Sequence, residues 1–166
     1  VSALRRVVLS GELSEFAASS VQAQLLSLAS ADAHAPIEVL VGVTGGDLRA
    51  ALALADTLRF LPAPTRTVAL GALGLAGVLV LATGHHRVAT AHAAFDLRFA
   101  PQDGGALWPA MVRANEAVLL RERVAETPLN LTQIEDGQLA RLLRGGETLS
   151  AQDAFAHGLV DEVRAP

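Results

Sequence analysis

The chain is 166 residues long, the size of one domain, and its formal net charge is −4, with every one of its 13 basic side chains an arginine. That balance excludes the basic footprint of a nucleic-acid binder. At 51% hydrophobic and 18% charged residues the chain is too apolar to be disordered, and the absence of cysteine excludes disulfides, thiol nucleophiles and cysteine-held metals and suits a reducing cytoplasm.

Val1–Arg6 lacks the charged-then-apolar order of a secretory signal. Arg6–Ser10, β-branched and ending at Gly11, predicts a first strand. Leu13, Phe16, Ala17, Val21, Leu25 and Leu28 recur at helical spacing and predict an amphipathic helix. Ile37–Val43 is nearly all apolar and of strand length, which predicts a strand buried on both faces; Thr44-Gly45-Gly46-Asp47 follows it. Leu48, Ala51, Leu52, Ala55 and Leu58 mark a second helix, stopped by Pro62 and Pro64. Thr67–Ala72 reads as the next strand, and Gly71, Gly74 and Gly77 punctuate a tight turn into a helical run, Val78–Ala82. The most apolar run, Val68–Ala82, is shorter than the about 20 residues that a membrane span needs, so it reads as core and no membrane association is expected.

Beyond Gly84, Arg87–Thr90 and Phe95–Phe99 predict two strands joined by a turn near His92, the second ending at Gly104-Gly105. A long helix is predicted over Pro109–Glu126, closed by Pro128. Thr132–Glu135 has capping-box spacing and opens a helix to Leu143, Ser150–Asp153 has the same spacing, and Gly158–Val163 finishes on a strand. Strands alternating with helices predict an α/β fold of right-handed βαβ units around a largely parallel sheet, in a single domain over residues 1–166.

Three segments carry a resemblance. Val43-Thr44-Gly45-Gly46-Asp47-Leu48, continued by Ala55-Asp56-Thr57-Leu58-Arg59-Phe60, is similar to a Ser-Pro-Gly-Gly-Ser-Val segment and the helix after it. Leu70–Val78, read on through Ala82-Thr83-Gly84, is similar to a nucleophile turn, and Leu149–Ala154 with His157–Val163 to a C-terminal signature. In this order, from about Arg6 to Val163, they resemble the proteolytic subunit of the Clp protease, within the Clp protease and crotonase superfamily. The resemblance implies that superfamily's repeated βαβ fold with a protruding handle, here the Phe95–Gly105 strand and the Pro109–Glu126 helix. That helix's stripe of Ala110, Met111, Ala114, Ala117, Val118 and Val124 would pair subunits. It also implies a pore hairpin and a helix ahead of the first strand, whereas Val1 lies almost at that strand.

Laying the family turn Gly-Met-Ala-Ala-Ser-Met-Gly-Ala on Gly71–Val78 puts the nucleophilic serine at Leu75. The family histidine falls on Arg98, or on Phe99 if Pro101 is the anchor, and the aspartate on Leu142. Leucine cannot attack a carbonyl, arginine stays protonated, and phenylalanine has no proton acceptor. A triad acts as a unit, so its replacement removes the chemistry. What the resemblance leaves is an oxyanion-hole-like set of Gly45, Gly46 and Ala76. Leu75 and Leu142 are expected to bury in the old cleft.

Relocated chemistry has few candidates. His85, His86 and His92, with Asp96 or Asp56 to orient one of them, suggest a metal site, but adjacent histidines on a strand point to opposite faces, and none is expected. Ser10, Ser19, Ser20, Ser27 and Ser30 lack a glycine-flanked elbow, which leaves Thr44 as the hydroxyl nearest the expected cleft. The expectation is therefore a non-enzymatic, cofactor-free member of a ring in the cytoplasm, built of its own copies or shared with active Clp subunits. A low aromatic content of 4%, no tyrosine, and Ala55 at the position expected to hold a pocket tyrosine argue against docking of a Clp ATPase. The alternatives are a crotonase-like acyl-CoA enzyme using Gly45 and Ala76, and a serine-type peptidase with relocated residues.

Overall fold

The computed structural model describes residues 5–99, 122, 135–145 and 147–165. Five strands form a central sheet in the order β1 (Arg6–Leu13), β2 (Ile37–Gly46), β3 (Thr65–Ala69), β5 (His86–Thr90) and β8 (Glu162–Arg164), every pair of them parallel. A smaller sheet joins β4 (Ala72–Leu73), β6 (Ala94–Phe95) and β7 (Leu149–Ser150), with β4 and β6 parallel and β7 antiparallel to β6. The helices are α1 (Glu15–Ala31), α2 (Leu48–Phe60), α3 (Leu75–Leu81), α4 (Asp136–Arg144) and α5 (Ala151–Ala156). Among the described residues no helix is long and apolar enough to cross a membrane.

Local chemistry sets the helix starts. Ser14 Oγ accepts the Ala17 N–H, Asp47 Oδ1 accepts those of Arg49 and Ala50, and Ser150 and Asp153 cap each other reciprocally, as the spacing predicts. The Ser14 cap moves the first helix past Leu13, which ends β1. The buried stripe is therefore Ala18, Val21, Leu25 and Ala29, and Phe16 points into solvent at 85% exposure. The helix predicted from Thr132 starts after Glu135 and has no side-chain cap. The predicted Pro109–Glu126 helix and its stripe lie outside the described residues, Glu122 excepted.

Two strand readings change. Thr67–Ala72 is split into β3 and β4 by Leu70 and Gly71, whose φ of 67° turns the chain from the large sheet into the small one. Phe95–Phe99 keeps only Ala94–Phe95 as strand. The turn at His92 carries the chain from one sheet to the other, so β5 and β6 do not pair with each other.

β2 is not buried on both faces. Ile37, Val39, Val41 and Val43 are buried and the alternate residues half-buried, because α3 packs against β2, α1 against β1, and α2 lies between α1 and α3 on that side. On the other face Arg6, Glu38, Arg66 and His86 stand in register across four strands, and Glu38 pairs with Arg6 and Arg66 while Glu162 pairs with Arg66, His86 and Arg164.

The last strand is fastened by Arg87 and Asp161. Asp161 Oδ2 accepts the Arg87 backbone N–H at 2.8 Å and its Nε–H at 3.0 Å, and Oδ1 accepts from Nη2 at 2.7 Å. Burial pushes the Asp161 carboxyl up, but the hydrogen bonds and charge of Arg87 outweigh it and hold the group below its ordinary value of 3.8. The unfolded chain then binds more protons, so the stabilisation is complete above about pH 4 and lost as pH falls through the lower native value. At one-third exposure Asp161→Asn is expected to lower unfolding free energy by about 1 kcal/mol at pH 7, measured by urea denaturation, with the difference shrinking on acidification.

Candidate functional site

The candidate site lies where β2 ends and α3 begins. Gly74 N–H donates to the Val43 carbonyl at 3.0 Å, and the fit is too close for any side chain. A Cβ on Gly74 would lie 2.3 Å from the Thr44 carbonyl oxygen, and one on Gly77 2.6 Å from that of Val43. Gly46, at φ 115°, turns the chain into α2, and a Cβ there would meet the Leu13 carbonyl at 2.3 Å. These approaches set Leu75 and Ala76 beside Thr44, Gly45 and Gly46. Together with Leu48, Gly74, Asp96 and Arg98 they line a cleft of about 300 Å³.

The structure thus gathers Gly45, Gly46, Ala76, Leu75 and Arg98 around one cleft. Phe99 is not in its lining; its backbone N–H donates to the Leu143 carbonyl at 2.9 Å, at the end of α4. Leu142, on α4, is 1% exposed and belongs to the core, and Leu75 is 4% exposed, so both expected leucines are interior residues. Thr44 is exposed at the rim.

Asp96 and Arg98 lie two residues apart in the segment after β6 and both line the cleft. Asp96 Oδ2 accepts from Arg98 Nη2 at 2.7 Å and Oδ1 from the Arg98 backbone N–H at 2.9 Å. The guanidinium hydrogen bond holds the Asp96 carboxyl below its ordinary value against the upward push of burial, and the same partner raises Arg98. Sequence reading offered Asp96 to a histidine; the spacing to Arg98 was the signal for its actual partner.

The histidines have other partners. His85 Nδ1 accepts the Thr65 N–H at 3.2 Å and lies 2.9 Å from Thr65 Oγ1, while His86 Nε2 is 3.0 Å from Glu162 Oε2. Among the described residues no three His, Asp or Glu side chains converge as metal ligands. Ala55 is 1% exposed and offers no docking surface, whereas Phe60, at the end of α2, is 81% exposed.

A family model for Clp protease matches residues 1–166, the full span of the fold and cleft just described. The chain belongs to the Clp protease family. Similar curated proteins include the ATP-dependent Clp protease proteolytic subunit of Borrelia garinii subsp. bavariensis, 28% identical over 162 residues that cover 96% of this chain and 84% of the relative. That of Leuconostoc citreum is 28% identical over 168 residues, with 96% and 82% covered. The ATP-dependent Clp protease proteolytic subunit 1 of Chlamydia felis is 30% identical over 166 residues, with 96% and 80% covered. The side chains lining the cleft are Thr44, the apolar Leu48, Leu75 and Ala76, and the paired Asp96 and Arg98.

Because Leu75 and Leu142 are interior, polar replacements there should cost stability. Leu75→Ser is expected to lower unfolding free energy by about 2 kcal/mol and Leu142→Asp by about 3 kcal/mol, the second placing a carboxyl among apolar neighbours. Equilibrium denaturation in urea measures both, and losses under about 0.5 kcal/mol, the usual range for surface changes, would show the leucines to be solvated.

Proposed function

We propose that this chain is a catalytically inactive Clp protease proteolytic-subunit-like protein, a structural or regulatory component of a ring assembly in the cytoplasm. One observation carries the reading: the residue at the nucleophile position of the turn is Leu75, a carbon side chain 4% exposed against the floor of the cleft. The ionisable groups in the described lining are Asp96 and Arg98, and Asp96 is engaged by Arg98 through both of its oxygens. A carboxylate held below its ordinary range is a poor general base at neutral pH, and an arginine is none, so the Thr44 hydroxyl at the rim has no base to activate it among the described lining residues. Backbone donors alone retain about 10³–10⁴ of rate enhancement over water, far short of a peptidase.

The ring reading is supported by family membership, since the relatives are named as subunits, and by the apolar spacing in the sequence of the Pro109–Glu126 segment, which would pair copies of this chain or join it to active Clp subunits. Purified protein is expected to give no turnover of a fluorogenic peptide, and Leu75→Ser alone is expected to remain inactive, because the new hydroxyl stays protonated without a base. Turnover that disappears in Thr44→Ala would assign chemistry to Thr44 and end the inactive reading. Native mass spectrometry, with and without co-expressed active subunits, is expected to show closed oligomers; a folded monomer at micromolar concentration would remove the ring.

A further inference from the structure

Taking the cleft as catalytically inert, as proposed above, we infer that it is a recognition site for the C-terminal carboxylate of a peptide, with Arg98 as the anchor. Arg98 is held in place before any ligand arrives. Asp96 engages its backbone N–H with one oxygen and Nη2 with the other, and the aliphatic stem lies over Gly145. A Cβ at Gly145 would stand 2.8 Å from Arg98 Cδ and 3.1 Å from Cγ, so this glycine, at φ 94°, makes room for the stem. A guanidinium fixed in this way has already lost the freedom that an exposed arginine gives up on binding.

Asp96 uses a single guanidinium N–H nitrogen. Arg98 Nε and Nη1 have no partner among the described residues, and Nη2 keeps its second N–H, which pairs with the donor beside it into one open two-donor edge of a side chain that is 62% exposed and lines the cleft. That edge fits a carboxylate in bidentate contact. A dianionic phosphate fits worse, because Asp96 stands in the same lining and repels the second charge. Around the anchor the wall is Leu48, Leu75 and Ala76, which an isolated small anion would leave uncovered, and the Thr44 hydroxyl and the Gly45-Gly46 backbone provide polar groups for an amide. A volume of about 300 Å³ is at the small end of ligand sites and admits the last residues of a chain, not a long segment. A monoanionic carboxylate carrying apolar side chains and peptide amides meets all of these conditions.

Calorimetric titration of the intact protein with acetyl-Leu-Leu-Leu as the free acid, with its C-terminal amide and with acetate tests the assignment. The free acid is expected to bind at least about tenfold more tightly than the amide, and Arg98→Gln, at an exposed position where the thermal midpoint checks folding, to bind both equally and weakly. Arg98→Lys should retain part of the preference, since it keeps the charge and loses the fork. Equal binding of acid and amide by the unmodified protein, no binding of either, or a preference that survives Arg98→Gln would overturn the proposal. Acetate binding as tightly as the tripeptide would make this a small-acid site and overturn the peptide assignment. Mass analysis of the recovered peptides keeps the two readings apart: cleaved acid and amide would end the inactive reading, whereas intact peptides without a carboxylate preference would end only this one.

Discussion

Three α-carbons without side chains determine the architecture of the cleft. Gly74 and Gly77 let the first turn of α3 rest directly on the carbonyls of Thr44 and Val43, and Gly46 lets the end of β2 fold against Leu13. A side chain at any of these points would bring its Cβ to within 2.3–2.6 Å of a backbone carbonyl oxygen, so the backbones would have to move apart. From this corner the rest follows in sequence. Leu73 N-terminal to the turn accepts the Asp96 N–H at 2.8 Å, which hangs the Asp96–Phe99 stretch over the same corner, and Phe99 in turn ties that stretch to α4 through the Leu143 carbonyl. Packing alone therefore requires this backbone geometry, whatever side chains line the cleft.

The same separation of scaffold and side chain is visible in the charges. Glu38 sits between Arg6 and Arg66 of the two neighbouring strands, and Glu162, on the edge strand, meets Arg66 of β3 and Arg164 of its own strand. Exposed pairs of this kind contribute little each, but a one-residue slip of β1 or β2 would break the pairs and carry buried valines to the wrong face. Their value is in fixing register. Arg87 and Asp161, with three hydrogen bonds in one direction and the Asp161 N–H returned to the Arg87 carbonyl at 2.8 Å, do more, since they hold the short β8 in place.

Much of the fold could be read from the residues. The alternation of strand and helix, the Ser150–Asp153 box and the stop at Pro62 follow from local rules that tertiary structure did not override. What local rules missed depended on distant partners. Nothing near Ile37–Val43 says that one face of β2 stays half-open, and nothing in Thr67–Ala72 shows that the chain changes sheets at Gly71, because both depend on which element arrives from elsewhere. In the cleft, the family pattern located Leu75 and the glycines, since the turn is contiguous in sequence. The different surroundings of Arg98 and Phe99 needed three dimensions: Arg98 lines the cleft, whereas the backbone of Phe99, one residue on, bonds to the end of α4.

The all-parallel order of the main sheet has a kinetic consequence. β1 and β2 are joined by side chains 32 residues apart, whereas β5 and β8 are joined by side chains 74 apart. Closing the longer loop costs somewhat more entropy, so β8 is expected to dock late. Interactions made after the rate-limiting barrier leave the folding rate nearly untouched and act on the rate of opening. The Arg87–Asp161 clasp is of that kind. It sets how long the sheet, once complete, stays closed.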